Sequence, residues 1–170
     1  LKTGLIDKNS LIGFSETLDA MRELNMAIVN EFRDLGLPVF PIQPSAIFLF
    51  ENGKTADMYF RVVEEAIKRG FIPVLWGDPV IDILKGCDIL SGDEIIFQLA
   101  KKLKPDIVVF GTDIDGVYLD YPENRKLVST ITRNNLEDVM KAIKPVDYAD
   151  VTGGFYYKMR KIIPVSYTHL

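Results

Sequence analysis

Two apolar runs constrain this chain more than any other feature: Phe71 to Trp76, and Asp106 to Phe110. Each follows a stretch with helix periodicity. Each is left through glycine and aspartate, Gly77-Asp78 in the first case and Gly111-Thr112-Asp113-Ile114-Asp115-Gly116 in the second. A near-continuous apolar run predicts a strand covered on both faces, the usual state of a parallel strand. Helices alternating with such strands predict an α/β fold with a largely parallel sheet covered on both sides. The chain has 170 residues, enough for one such domain with a sizeable core.

The remaining elements fit that alternation. Leu18, Met21, Leu24, Ile28, Phe32 and Leu35 recur every three or four positions, predicting a helix over 15–35 with one buried stripe, closed by Gly36. Short strands are expected over 38–42 and 47–50, and then a turn at Glu51-Asn52-Gly53-Lys54 leading into a helix over 57–69. That helix turns Val62, Val63, Ala66 and Ile67 inward. Further helices are expected over 93–103, stopped by Pro105, over 134–143, and from Gly153 onward. No internal repeat or low-complexity tract divides the chain, so one domain over 1–163 is the economical reading, with 164–170 as a tail of doubtful origin.

Several chemistries are excluded by residue type. Cys87 is the only cysteine and His169 the only histidine, which removes disulfides, cysteine-cluster metal sites and histidine-dependent triads from these residues. The formal net charge of −4 argues against a nucleic-acid surface. No run approaches the roughly 20 apolar residues needed to span a bilayer, and with no leader pattern at the start the expected compartment is cytoplasmic. The run Lys101-Lys102-Leu103-Lys104 ends a helix pattern and reads as a solvated face favoured by the helix dipole. Asp113-Ile114-Asp115-Gly116 lacks the third ligand and the flanking helix of a calcium loop, and neither a P-loop nor a dinucleotide fingerprint occurs.

What remains points to anions. In open α/β sheets ligands bind at the carboxyl ends of strands, and both apolar runs end in a Gly/Asp loop. One such loop is simply a turn; two on neighbouring strands suggest a site. Ser91-Gly92-Asp93 opens a predicted helix, where backbone N–H groups form an anion seat, although Ser91 is equally a plain N-cap. Thr152-Gly153-Gly154 followed by Lys158 is a second such start, or else a flexible hinge.

At these residues the chain resembles amino acid kinase-type phosphotransferases. Phe110 through Tyr118 is similar to the nucleotide-side loop of uridylate, glutamate and isopentenyl phosphate kinases, and Asp150-Val151-Thr152-Gly153-Gly154 with Lys158 to the later ATP-binding motif of the isopentenyl phosphate branch. Gln43-Pro44-Ser45-Ala46, Pro73-Val74-Leu75-Trp76-Gly77-Asp78, Ile89-Leu90-Ser91-Gly92-Asp93-Glu94 and the helix from Gly13 to Asn25 narrow the match to that branch, over roughly residues 4 to 161. The resemblance implies a three-layer α/β sandwich of the carbamate kinase-like type. It also implies ATP with Mg²⁺ as cofactors and transfer of the γ-phosphoryl group to isopentenyl phosphate. It assigns Gly92 to the acceptor phosphate, Asp113, Gly153 and Lys158 to ATP, and Met21, Leu24 and Ile28 to a prenyl pocket, a stripe that reads as plain core on periodicity alone. No nucleic acid and no membrane is implied as partner, and a homodimer is allowed.

Three alternatives stay open: a small-phosphonate (fosfomycin-type) kinase, a uridylate kinase, and a non-catalytic nucleotide-binding regulatory domain of the same fold. Tyr157 stands where the branch usually has glycine. The family's first strand with its lysine, its Gly-His loop and its final strands have no counterpart in these residues, which reads as a truncated fold whose catalytic lysine and histidine lie elsewhere. The 170 residues alone are therefore expected not to phosphorylate isopentenyl phosphate. ATP-dependent formation of isopentenyl diphosphate by the purified chain would overturn that expectation.

Overall fold

In the computed structural model, which describes residues 7–111, 116–119, 126–132 and 134–142, the chain enters a 27-residue helix, α1 (Lys8–Asp34). Its start is set by a reciprocal cap. Asp7 Oδ1 accepts the Ser10 N–H at 2.8 Å, and Ser10 Oγ accepts the Asp7 N–H at 2.9 Å. The helix begins seven residues before the position predicted from apolar spacing, because its start signal is polar and lies ahead of the stripe. Gly36, at φ +79°, closes it.

The stripe itself is not core. Asn25 and Val29 are buried, whereas Leu24 is 57% and Ile28 44% exposed, with Phe32 and Leu35 exposed beyond them. One residue step turns a helix by about 100°, so the face carrying positions 25 and 29 is the one that packs against the sheets.

Two sheets follow in the first of two units, which spans Leu1–Ile96. Strands β1 (Val39–Pro41) and β4 (Ile72–Val74) pair in parallel, Val39 opposite Ile72. Between them in the chain lies helix α2 (Arg61–Lys68), which buries Val63 and Ala66 and packs on β4. Phe71 and Ile72 are exposed, so this run is not covered on both faces as predicted; β4 has one partner strand among the described residues.

The second sheet has the order β3-β2-β5-β6, with β2 (Phe48–Glu51), β3 (Lys54–Met58), β5 (Asp78–Asp82) and β6 (Gly86–Leu90). It is mixed: antiparallel hairpins β2–β3 and β5–β6 join through the parallel pair β2–β5. Neither β3 nor the β5–β6 hairpin was expected. Asn52 and Gly53 have φ +50° and +77°, both in the left-handed region, as in the two-residue turn that matches strand twist. The chain therefore doubles back as β3, and the following helix begins at Arg61, not Asp57.

Strand β5, one of two interior strands of this sheet, packs on β2, β6, α1 and the turn Pro44–Ala46. Val80 is fully buried, as are Leu90 and Cys87 on β6, and Phe48 and Phe50 on β2 are buried beside them. Asp82, at its far end, is also buried. Its carboxylate accepts N–H groups from Asn52 (3.2 Å), Gly53 (2.7 Å), Leu84 (2.9 Å) and Lys85 (2.8 Å), fastening the tips of both hairpins together.

The unit boundary falls within helix α3 (Gly92–Leu103). In the second unit, strands β7 (Val117–Tyr118) and β8 (Leu127–Val128) form an antiparallel pair beneath helix α4 (Leu136–Ala142). Val117 and Val139 are its buried centre, with Val128, Ile131 and Met140 packed around them. The predicted strand over 106–110 is absent: Ile107 and Val109 are 77% and 80% exposed. A strand is defined by its ladder, and no ladder among the described residues includes this segment. The helix expected from Gly153 lies outside the described residues. Among the described residues no helix is long and apolar enough to cross a membrane.

Candidate anion-binding site

Strand β6 ends at Leu90 and the chain turns at once into α3. Ser91 is its cap: its Oγ accepts the Glu94 N–H at 3.2 Å, and its carbonyl accepts the Ile95 N–H at 3.1 Å. The plain N-cap reading of Ser91 therefore holds. It does not account for Gly92. A Cβ added there would meet nothing within 4 Å among the described residues, and the backbone is not in the left-handed region. Neither packing nor conformation demands glycine, so the missing side chain leaves open space above the first N–H of a 12-residue helix. The first donors of a helix have no partner within it, and the dipole favours negative charge there.

The first turn also carries Asp93 and Glu94. Glu94 is turned away to β3, where its Oε1 accepts the Thr55 hydroxyl at 3.0 Å.

Two motifs singled out in the sequence, Gly77-Asp78 and Ser91-Gly92-Asp93, meet at this point, whereas most of the second Gly/Asp loop, 112–115, lies outside the described residues. Strand β4 leads through Leu75 and Trp76 to Gly77. A Cβ built at Gly77 would lie 3.5 Å from the Leu90 carbonyl oxygen and 3.8 Å from the Gly92 nitrogen. The carboxyl end of a parallel strand thus abuts the helix start, the arrangement in which open α/β sheets hold ligands. Next in sequence, Asp78 pairs with Leu90 across the β5–β6 ladder and is buried.

Asp78 starts a polar chain. Its Oδ2 accepts the Ser45 N–H at 3.0 Å, in the 3-10 turn Pro44–Ala46. Ser45 Oγ accepts from Gln43 Nε2 at 2.9 Å, and Gln43 Oε1 accepts from Arg22 Nε on α1 at 3.1 Å. Asp78 Oδ1 and Trp76 Nε1 are buried with no hydrogen-bond partner among the described residues.

The other expected site residues divide in two. Met21 is half-buried on α1, while Leu24 and Ile28 lie on its exposed face. Asp113, Gly153 and Lys158 lie outside the described residues. Cys87 is buried, and burial pushes its thiol above the ordinary value, which makes it a poor nucleophile. Among the described residues no three His, Cys, Asp or Glu side chains converge to hold a metal ion. Sequence reasoning missed Asp78 and Asp82 as buried nodes. For Asp82 a signal existed, an aspartate placed before Leu84, Lys85 and a turn glycine, whose carboxylate bonds the backbone just after it. For Asp78 there was none, because its partner Ser45 is 33 residues away.

Comparison with known proteins gives a consistent family. The model of the amino acid kinase family matches residues 3–166. The chain is 36% identical over 150 residues to isopentenyl phosphate kinase of Methanocaldococcus jannaschii, covering 88% of this chain and 55% of that protein. It is 35% identical over 171 residues to isopentenyl phosphate kinase of Arabidopsis thaliana, covering 91% and 51%. It thus spans about half the length of the curated relatives it matches. Among solved structures, an isopentenyl phosphate kinase superposes with a TM-score of 0.74 at 23% identity, over 98% of this chain and 64% of that one, a likeness of fold.

The two aspartates of β5 give opposite pH signatures. Burial raises the Asp78 carboxyl above its ordinary value, only partly countered by Ser45, Gln43 and the Arg22 charge. The folded state then binds this proton more tightly than the unfolded state, so stability falls as pH rises from the ordinary value through the raised one. Burial also opposes charge on Asp82, but the N–H groups of Gly53, Lys85, Leu84 and Asn52 outweigh it and hold that carboxyl low. Its contribution is present above the ordinary value and is lost as pH falls through the lowered one. In urea unfolding followed across pH, Asp78→Asn is expected to remove a loss of stability on the rising side, and Asp82→Asn a loss on the acid side. The same pH slope for both variants would contradict the assignment.

Proposed function

This chain belongs to the amino acid kinase family, and from that premise we propose that its protein transfers the γ-phosphoryl group of ATP to isopentenyl phosphate, giving isopentenyl diphosphate and ADP. The observation that carries this reading is the open helix start at Gly92, set against the carboxyl end of β4 through Gly77. The names of its relatives supply the acceptor.

Phosphoryl transfer asks for positioning and for neutralisation of oxygen charge, with little covalent chemistry from the protein. In this reading the Gly92 N–H holds an oxygen of the acceptor phosphate, and the space above Gly92 admits it. Asp113, Gly153 and Lys158 serve ATP, with Lys158 supplying positive charge to its phosphates. Mg²⁺ bound with the nucleotide supplies further neutralisation. Asp93 and Glu94 add negative charge to the first turn of α3, with Glu94 turned to Thr55, and such cations offset that charge for an incoming phosphate. Met21, Leu24 and Ile28 provide apolar surface for the prenyl tail, Met21 half-buried and Leu24 and Ile28 exposed. The reaction suits a cytoplasmic enzyme.

The two seats predict separable kinetic defects in the full-length protein. Gly92→Val places a side chain into space that no atom of the described residues occupies, so the variant should fold normally. The acceptor KM should rise by about tenfold or more while the ATP KM stays nearly unchanged. Lys158→Ala should do the reverse, weakening use of ATP and sparing the acceptor KM. Steady-state kinetics with each substrate varied separately decide the matter; impairment of the same substrate by both variants would show that the two seats are wrongly assigned.

A further inference from the structure

Asp78 is costly where it stands. A buried carboxylate with one oxygen that finds no partner among the described residues destabilises a fold relative to an apolar residue of similar shape. Such a residue is informative when its surroundings give it something else to do. Its backbone pairs with Leu90, two residues before Gly92. Its chain neighbour Gly77 lies against the Leu90 carbonyl and the Gly92 nitrogen. Its side chain is anchored to the Ser45 N–H, and through Ser45 and Gln43 to Arg22 on α1. Asp78 therefore stands between the helix bearing Met21, Leu24 and Ile28 and the start of α3.

We propose that Asp78 is a positioning residue for the acceptor. By tying strand β5 to the Gln43–Ser45 turn, it fixes Gly77 against Gly92 and so sets where the Gly92 N–H presents itself to a phosphate. The inference rests on the reading that the acceptor phosphate sits at Gly92. Asp78 touches no substrate; it acts through Gly77 and Leu90. The same chain of bonds reaches Arg22, one residue from Met21, so the apolar tail surface and the phosphate seat are held in one frame. The cost of the buried charge buys a fixed distance between them.

The variants that test this separate position from stability. Asp78→Val removes the carboxylate, fills much of its volume and suits a strand, so thermal stability should be retained. Asp78→Asn keeps an oxygen to accept the Ser45 N–H. Val80→Ala, on the same strand, removes core packing without touching the polar chain. In the full-length protein, Asp78→Val should raise the acceptor KM by about tenfold with the ATP KM within about twofold of wild type. Asp78→Asn should restore most of that loss, and Val80→Ala should lower Tm without shifting the acceptor KM.

Should Asp78→Val fail to fold, Gln43→Ala unties the turn at its exposed end and should give a smaller rise of the same kind. The proposal is overturned if Val80→Ala shifts the acceptor KM as much as the Asp78 or Gln43 variants do, or if the folded Asp78→Val enzyme has an unchanged acceptor KM. The amide signal of Gly92 in ligand-free, ¹⁵N-labelled protein separates this from failure of the functional reading. That signal should move in Asp78→Val and not in Val80→Ala even if isopentenyl phosphate proves not to be the acceptor. An unmoved Gly92 amide sinks the inference and leaves the reading of the reaction standing.

Discussion

Strand β5 is held at each end by a carboxylate removed from solvent, and the rest of the first unit is arranged around that fact. Asp82 gathers four backbone N–H groups from two hairpin tips, and Asp78 takes the Ser45 N–H from a turn far away in sequence. Between them Val80 is fully buried. Interior charges are tolerated only where hydrogen bonds replace the lost water. At Asp82 that replacement is generous and at Asp78 it is incomplete. The better-served carboxylate fastens the tips of the sheet, and the worse-served one lies beside the candidate site. Strain and imperfect satisfaction concentrate in that way where geometry serves a ligand.

Much of this was legible in the sequence where the signal was local. Helix α3 and its Ser91 cap, the close of α1 at Gly36 and the turn at Asn52-Gly53 all follow from residues within a few positions of one another. The errors share a different cause. The α1 stripe Leu24, Ile28, Phe32 and Leu35 has the right period for a helix, but period does not say which face meets the sheet. The run from Asp106 to Phe110 has strand composition, yet a strand needs a neighbour. Asn52-Gly53 signals a turn by composition, but only its two positive φ values specify a hairpin. A turn read without its hairpin hides β3 and starts α2 too early.

The candidate site was half legible. Gly77-Asp78 and Ser91-Gly92-Asp93 each stood out, for reasons of turn chemistry and helix starts. Their meeting could not be seen, because it depends on the antiparallel return of β6 beside β5, which places Leu90 opposite Asp78. That return also unites three of the stretches that carry the family resemblance: the Gln43–Ala46 turn through Asp78, the end of β4 through Gly77, and the α3 start itself. The family match extends over residues 3–166, so the likeness runs well beyond these three stretches.

The central claim is that the open N–H of Gly92 receives the phosphate of the acceptor. The most direct measurement is a crystal structure of the full-length protein with isopentenyl phosphate and a non-transferable ATP analogue. The account predicts a phosphate oxygen within about 3 Å of the Gly92 nitrogen, with Gly77 still packed beneath it. An acceptor phosphate held elsewhere, with the space above Gly92 empty, would contradict it.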